Sequence, residues 1–251
     1  MLRLILLALA LPLAADGTAD LRTTLQRLRG REPVKATLHV NRWQRTVEDK
    51  QPREQTAQGD FLVTDGPAGF GFGVQAATAE RVRAEAQKPV PRDKKQRPGL
   101  TPVTELVASI GMLDAAELVN AAESLLSLLQ DATLKEDRLD ESPGLKGRLL
   151  GFELPTEEES KMGAKAKVTG FLKVWLGPDG LPFASQRTQG FEGGFMWIKA
   201  KSEESISRRY LAEGGRLLVA EDTRENRMEG AGDRVQVKRT LKLTPLREPA
   251  R

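Results

Sequence analysis

The residue types that perform most enzyme chemistry are scarce in this chain. One histidine, His39, and no cysteine occur among the 251 residues. Disulfides, thiolate metal sites and cysteine nucleophiles are therefore excluded, and any Ser-His pair or histidine-containing metal site would have to use His39. That residue falls on the polar face of a predicted strand, so we interpret it as a surface histidine. The sequence predicts no metal site and no cofactor.

Two short motifs could carry chemistry but have simpler interpretations. Residues 69–73 (GFGFG) have closely spaced glycines but lack the GK[ST] ending and the helix start of a phosphate-binding loop, which favours a strand. Residues 156–160 (TEEES) match no calcium-loop pattern, which favours a solvated loop. No pair stands out among the 35 acids, although a carboxylate-based hydrolase stays open as an alternative. We therefore predict no catalytic residues and a protein that is not an enzyme.

Composition and charge favour a folded protein that does not bind nucleic acid. Hydrophobic residues make up 39% of the chain and charged residues 29%, which is enough apolar material for a core. The formal net charge is +4, and the basic excess is spread along the chain rather than clustered. The length fits one large domain or two small ones.

The first fifteen residues have the layout of a secretory signal peptide. Arg3 precedes an apolar run over residues 4–11, and small residues follow up to Ala15. An uncleaved anchor is the alternative, but residues 4–15 as a helix span about 18 Å, short of the ~30 Å hydrocarbon core. We predict a signal peptide at 1–15, with cleavage after Gly17 as the alternative. The expected product is periplasmic or secreted and does not span the membrane.

Helical periodicity appears in two parts of the mature chain. Residues 18–29 form an N-terminal helix with one leucine stripe. An insertion at 76–131 contains a basic, proline-rich loop at 88–98 and two helices within 101–130, separated at Gly111. We interpret the loop as a soluble linker, with contact to anionic lipid headgroups as the alternative.

The second helix of the insertion carries the wider apolar stripe. Asp114 is predicted to cap it, with Glu117 at the capping-box position. Leu118, Leu125 and Leu129 then fall on one face, as in a helix that covers a core or acts as a lid.

Alternation of apolar and polar residues predicts strands over most of the remaining chain. Residues 34–41 alternate strictly, and a strand at 55–65 follows a polar loop at 47–54. A third strand carries the phenylalanines of the glycine-rich segment. Seven more candidates lie between 132 and 244, with a strong hairpin turn at 177–180. Since no crossover helices separate them, the sheet is predicted to be antiparallel.

These elements together predict an α+β fold with a single open-barrel domain at 16–247. A large curved antiparallel sheet of about ten strands, an incomplete barrel, would be covered by the N-terminal helix and the two-helix insertion.

The order of elements resembles the LolA-like superfamily of periplasmic lipoprotein carriers. The similar stretches are DLRTTLQRLRG (20–30), VKATLHVNRW (34–43), GDFLVTDG (59–66) and FLKVWLGPDGLPFASQRT (171–188). The resemblance implies a leading amphipathic helix and an incomplete antiparallel barrel closed by a helical lid. It includes no motif with invariant chemistry, so it transfers no functional residue to this chain.

An open barrel of this kind predicts a non-enzymatic binding protein. A lipid, a lipoprotein acyl chain or a similar amphiphile would lie on the concave apolar face, predicted to be lined by Leu38, Val40, Phe61, Phe70, Phe72, Val174 and Trp197. The leucines at 118, 125 and 129 would form the lid. The same residues would be ordinary core if the helices pack down fully. The alternative function is an envelope scaffold or sensor domain that binds a protein partner without a ligand cavity.

Overall fold

The computed structural model describes residues 17–48, 51–87, 102–142, 144–161, 164–195, 198–230 and 233–246. The predicted signal peptide at 1–15, the basic loop at 88–98 and Trp197 lie outside the described residues. The helices of the described part are α1 Gly17–Arg27, α2 Ala76–Ala86, α3 Pro102–Ala108, α4 Met112–Val119 and α5 Ala121–Leu129. Its strands are β1 Val34–Glu48, β2 Gln51–Gly66, β3 Gly69–Val74, β4 Thr133–Asp140, β5 Gly147–Lys161, β6 Ala164–Leu176, β7 Pro182–Phe195, β8 Ile198–Glu213, β9 Arg216–Gly230 and β10 Asp233–Pro245.

All ten strands form one antiparallel sheet in the order β3-β2-β1-β10-β9-β8-β7-β6-β5-β4. Strands β3 and β4 are its two edges, so the sheet stays open. The chain passes from β3 at one edge through the four helices α2 to α5 to β4 at the other edge. It then runs back strand by strand until β10 pairs with β1. The predicted α+β fold with a large curved antiparallel sheet is confirmed.

In the described residues of the insertion, the stretch 102–130 contains three helices, α3 to α5, whereas two were predicted within 101–130. The stretch predicted as the second helix divides at Asn120, whose φ of −126° and ψ of 44° are not helical. The Asn120 side chain donates to the Ala116 carbonyl at 3.1 Å, and such side-chain bonds compete with the helical backbone. The predicted cap is also wrong. Gly111 is the N-cap, and its N–H donates to the carboxylate of Asp114, the third helical residue.

Two segments predicted as loops are strands. Residues 47–48 and 51–54 belong to the ends of β1 and β2, and Pro52 is opposite Val47 where β3 no longer pairs with β2. Proline is tolerated there because that side of the strand needs no ladder N–H. Residues 156–160 continue β5 past a bulge and pair with β6. Both errors arise because pairing with the adjacent strand of a hairpin overrides local composition.

The helices pack on one face of the sheet, which we call the inner face. This face carries alternate residues of each strand, such as Leu38, Val40 and Phe61, and it forms one core cluster with the leucines of the helices. Each buried leucine or phenylalanine contributes about 1.5–3 kcal/mol relative to an exposed one. Strands of thirteen to sixteen residues in the central sheet extend roughly 45–50 Å and so continue beyond the short helices.

The segment after α1 is tied to the sheet by its backbone. The Gly30 N–H donates to the Gly215 carbonyl at 2.9 Å, and the Leu217 N–H donates to the Leu28 carbonyl at 3.1 Å. A Cβ on Gly30 would lie 2.6 Å from the Gly215 oxygen, so glycine is required for this approach. These bonds position α1 over the start of β9.

The opposite face of the sheet has a smaller cluster around Trp175. Its ring is buried with Leu149 and Ala184, and its indole N–H donates to Asp140 Oδ2 at 2.7 Å. This bond, together with hydrogen bonds from Ser142, lowers the pKa of Asp140 to about 2. Within the described residues, no helix has both the length and the apolar character needed to cross a membrane.

Candidate functional site

The predicted ligand-binding residues lie together on the inner face. Leu38, Val40, Phe61 and Val174 are all 0% exposed and belong to one core cluster. Phe70 and Phe72 of β3 are partly buried and pack against that cluster, and the rings of Phe61 and Phe72 stack with centroids 5.2 Å apart. Since Trp197 lies outside the described residues, its predicted role cannot be placed on this surface.

The predicted lid residues cover the same surface. Leu118 of α4 and Leu125 and Leu129 of α5 are at most 1% exposed and belong to the same cluster as the inner-face residues. The juxtaposition of apolar face and helices therefore follows the prediction. In this structure the side chains of the helices fill the apolar face, as in an ordinary core. Contact of these residues with a ligand stays a prediction.

Four arginines of the inner face lie where the helical cover ends, and we call them the arginine cluster: Arg42, Arg208, Arg224 and Arg239. Arg42 of β1 is opposite Arg239 of β10, which is opposite Arg224 of β9. Arg208 of β8 is opposite Asp222 of β9, one register row nearer to the buried leucines. The strand register thus places three guanidinium groups side by side across the sheet.

Carboxylates from α3 and α4 contact this cluster. Glu105 of α3 lies 3.0 Å from Arg42, and Asp114 of α4 lies 2.9 Å from Arg224 and 3.2 Å from Arg239. Burial favours the neutral acid of Asp114, but Arg239 and Arg224 outweigh burial and hold the pKa of its carboxyl below its usual value. The helices are therefore joined to the sheet by ion pairs as well as by leucines.

The most buried ion pair of the cluster joins Arg208 and Asp222. Arg208 Nε lies 2.8 Å from Asp222 Oδ2, and one terminal nitrogen lies 2.8 Å from Glu117 of α4. Burial disfavours the charge on Arg208, but Asp222, Tyr210 and Glu117 together outweigh burial and raise the pKa of the guanidinium above its ordinary value. Asp222 also contacts Arg224 at 3.1 Å, so sheet and helix carboxylates form one network.

Sequence reasoning did not identify the arginine cluster. One signal was available, because Arg42 follows Val40 by two residues and therefore continues the inward-facing side of β1. The same holds for Arg239, two residues before the inward-facing Leu241. A charge at an inward position indicates a buried partner or a site, but the partner helices are distant in the sequence.

Beyond the arginine cluster the inner face continues past the cover that the described helices provide. Phe191 of β7 and Met228 of β9 both lie opposite Ser202 of β8, and they are 36% and 43% exposed. Half-buried Val235 of β10 is opposite Met228. This part of the inner face is a mixed surface of apolar and polar side chains.

A polar cleft lies at the opposite end of the helical cover. Its volume is about 740 Å³, and Arg216, Asp65 and Asn120 are among its lining residues. Arg216 contacts both Asp65 and Asn120. Arg29 and Glu123 of α5 also line the cleft, and their side chains form an ion pair at 2.8 Å. The contacts of Arg29 with Glu123 and of Arg216 with Asp65 pair most of its charged groups, whereas the Arg216 Nε is buried without a hydrogen-bond partner among the described residues.

Metal chemistry has no support among the residues that the structure describes. No group of three or more histidine, cysteine, aspartate or glutamate side chains converges there. His39 is exposed, as predicted, and its Nδ1 lies 2.7 Å from Asp60 Oδ1 on the outer face of β1 and β2.

Comparison with known proteins found no relative for this arrangement. Neither a family model, nor a curated protein, nor a solved structure matches the chain.

Proposed function

We propose that this protein is an exported, non-enzymatic carrier that binds an amphiphile on the inner face of its sheet. The observation that supports the proposal is the shared apolar cluster, in which separate short helices, rather than further strands, cover the apolar part of an open sheet. In the bound state α3, α4 and α5 move away, and an acyl chain takes the place of Leu118, Leu125 and Leu129.

The helical cover is suited to displacement because its pieces are short. Helices α3, α4 and α5 contain seven, eight and nine residues, and isolated helices below about 12–15 residues are marginal in water. The strands beneath them are joined by continuous ladders. The cover can therefore open without loss of the sheet.

The apolar free energy of the three leucines is comparable with that of an acyl chain. Uncovering three leucines costs roughly 5–9 kcal/mol, at about 1.5–3 kcal/mol for each side chain. An acyl chain that buries about ten methylene groups gains roughly 8 kcal/mol, at about 0.8 kcal/mol for each group. An acyl chain of ordinary length can thus compensate for the displaced leucines.

A reversible cross-link tests this mechanism. Arg29, next to β9, and Glu123 of α5 are exposed and 2.8 Å apart, and the chain has no cysteine. In the Arg29→Cys/Glu123→Cys variant, a cleavable bismaleimide reagent containing a disulfide would hold α5 in place. Binding of 1-oleoylglycerol is then measured by native mass spectrometry and titration calorimetry.

We expect the unlinked double variant to bind the lipid, the cross-linked form to lose binding, and reduction of the linker to restore it. Equal binding by the linked and unlinked forms would contradict displacement of α5. Absence of binding by the wild-type chain as well would contradict the carrier function.

A second candidate function is the binding of a protein partner by the uncovered part of the inner face. The exposed Phe191 and Met228 favour it, since apolar side chains on an open sheet surface are typical of interaction sites. A partner on this surface would bind the cross-linked form unchanged and would be lost in Phe191→Glu. Those two results together would favour a scaffold over a carrier.

A further inference from the structure

The arginine cluster lies next to the surface proposed for the acyl chain. Arg42 and Val40 are two residues apart on one face of β1, which is about 7 Å along the strand. Arg239 and Leu241 have the same relationship on β10. An amphiphile whose chain covers Val40 and Leu241 would therefore have its headgroup at the arginines.

Helix carboxylates provide much of the negative charge that contacts the cluster. Glu105, Asp114 and Glu117 come from α3 and α4, whereas Asp222 comes from the sheet. When the helices leave, the four guanidinium groups of the cluster keep the Asp222 carboxylate and lose these three. Adjacent guanidinium groups without these counter-charges repel one another, so an anion that binds them stabilises the open state.

We propose that the amphiphile has an anionic headgroup, a phosphate or a carboxylate, which replaces the helix carboxylates on Arg42, Arg224 and Arg239. This inference rests on the proposed function and specifies its ligand class. Arginine suits the task because its planar fork binds phosphate and carboxylate oxygens in pairs. In the closed state the carboxylates of Glu105, Asp114 and Glu117 contact the arginines. In the open state the headgroup oxygens take the same positions.

The test compares two lipids that differ by one phosphate: 1-oleoylglycerol and 1-oleoyl-lysophosphatidate. Both are titrated into the full chain below their critical micelle concentrations, by calorimetry. We expect the phosphate lipid to bind at least about tenfold more tightly, and this ratio to fall as salt is raised. Glycerol 3-phosphate, the headgroup without the chain, is expected to show no binding at the same concentrations.

Variants connect the preference to the cluster. Arg42→Gln and Arg239→Gln, on two different strands, should each reduce the ratio of the two lipid affinities several-fold. Arg209→Gln is the matched control, because Arg209 is exposed and is opposite Ala184 of the small cluster on the other face. Thermal unfolding verifies that each variant is folded. The salt dependence of the lipid affinities is measured on the wild type, so that part of the test does not depend on any variant.

The outcomes separate the two proposals. Equal affinities for both lipids, or a ratio unchanged in Arg42→Gln and Arg239→Gln, would overturn the anionic headgroup and leave the carrier function. Binding of neither lipid would overturn the carrier function itself. Binding of glycerol 3-phosphate as tight as that of the phosphate lipid would show a site for small anions and overturn the amphiphile.

Discussion

The guanidinium of Arg208 and the carboxylate of Asp222 form a buried ion pair between β8 and β9, with side chains that are 8% and 0% exposed. The pair lies beneath α4, and Glu117 of that helix contacts the same guanidinium. A charge that is buried with its partner contributes little net stability, but removal of one partner leaves the other charge uncompensated.

Asp222→Ala should therefore lower the free energy of unfolding by about 3–5 kcal/mol. The double variant Arg208→Met/Asp222→Leu should be more stable than the single one, because no uncompensated charge remains. Glu117→Gln is the control, with an expected loss below about 1 kcal/mol because Glu117 is half-exposed. Urea unfolding followed by tryptophan fluorescence measures all three, and a double variant less stable than Asp222→Ala would contradict the argument.

Asp140 should make stability depend on acid pH. Its pKa is about 2 in the folded protein and about 3.9 when unfolded, so the unfolded chain binds the proton first as the pH falls. The stabilisation is complete above about pH 4 and is lost toward about pH 2. Asp140→Asn should lose less stability across this window than the wild type, whereas exposed Glu141→Gln should match the wild type. Urea unfolding at several pH values measures the free energy of unfolding of each variant. If it falls with pH equally for Asp140→Asn and the wild type, the role of Asp140 is contradicted.

Leu125 should be a large contributor to the packing of α5. Leu125→Ala removes a side chain that is 1% exposed and should cost about 2–5 kcal/mol. Leu113→Ala makes the same change on α4 at a side chain that is 81% exposed, with an expected effect within about 0.5 kcal/mol. Chemical denaturation compares the two, and similar losses for both would contradict the placement of the helices.

Gly30 should not tolerate a side chain. Gly30→Ala forces a Cβ against the Gly215 carbonyl and should cost about 1–3 kcal/mol by disturbing the bonds between the α1 segment and β9. A Cβ at Gly73 of β3 would meet no heavy atom within 4 Å, so Gly73→Ala should change stability by less than about 1 kcal/mol. Thermal unfolding measures both, and hydrogen exchange at Leu217 should increase only in Gly30→Ala.

Much of the fold was predictable because it depends on local periodicity. The alternation around Leu38 and Val40 indicated which side of β1 faces the core, and the stripe of Leu118, Leu125 and Leu129 indicated which side of the helices meets it. Both patterns reflect the side-chain periods of strands and helices, and these periods do not depend on the partner. The strand count and the antiparallel order followed from the same patterns and the turn residues.

Tertiary contacts decided the features that have no local period. The strands extend through residues predicted as loops because ladders with the neighbouring strands hold them, and the helix divides at Asn120. The arginines at 42, 208, 224 and 239 acquired a common location only through the pairing of β1, β8, β9 and β10. Their carboxylate partners on α3 and α4 are more than sixty residues from Arg42 along the chain. Coulombic attraction depends on distance in space, and residue patterns along a chain do not contain that distance.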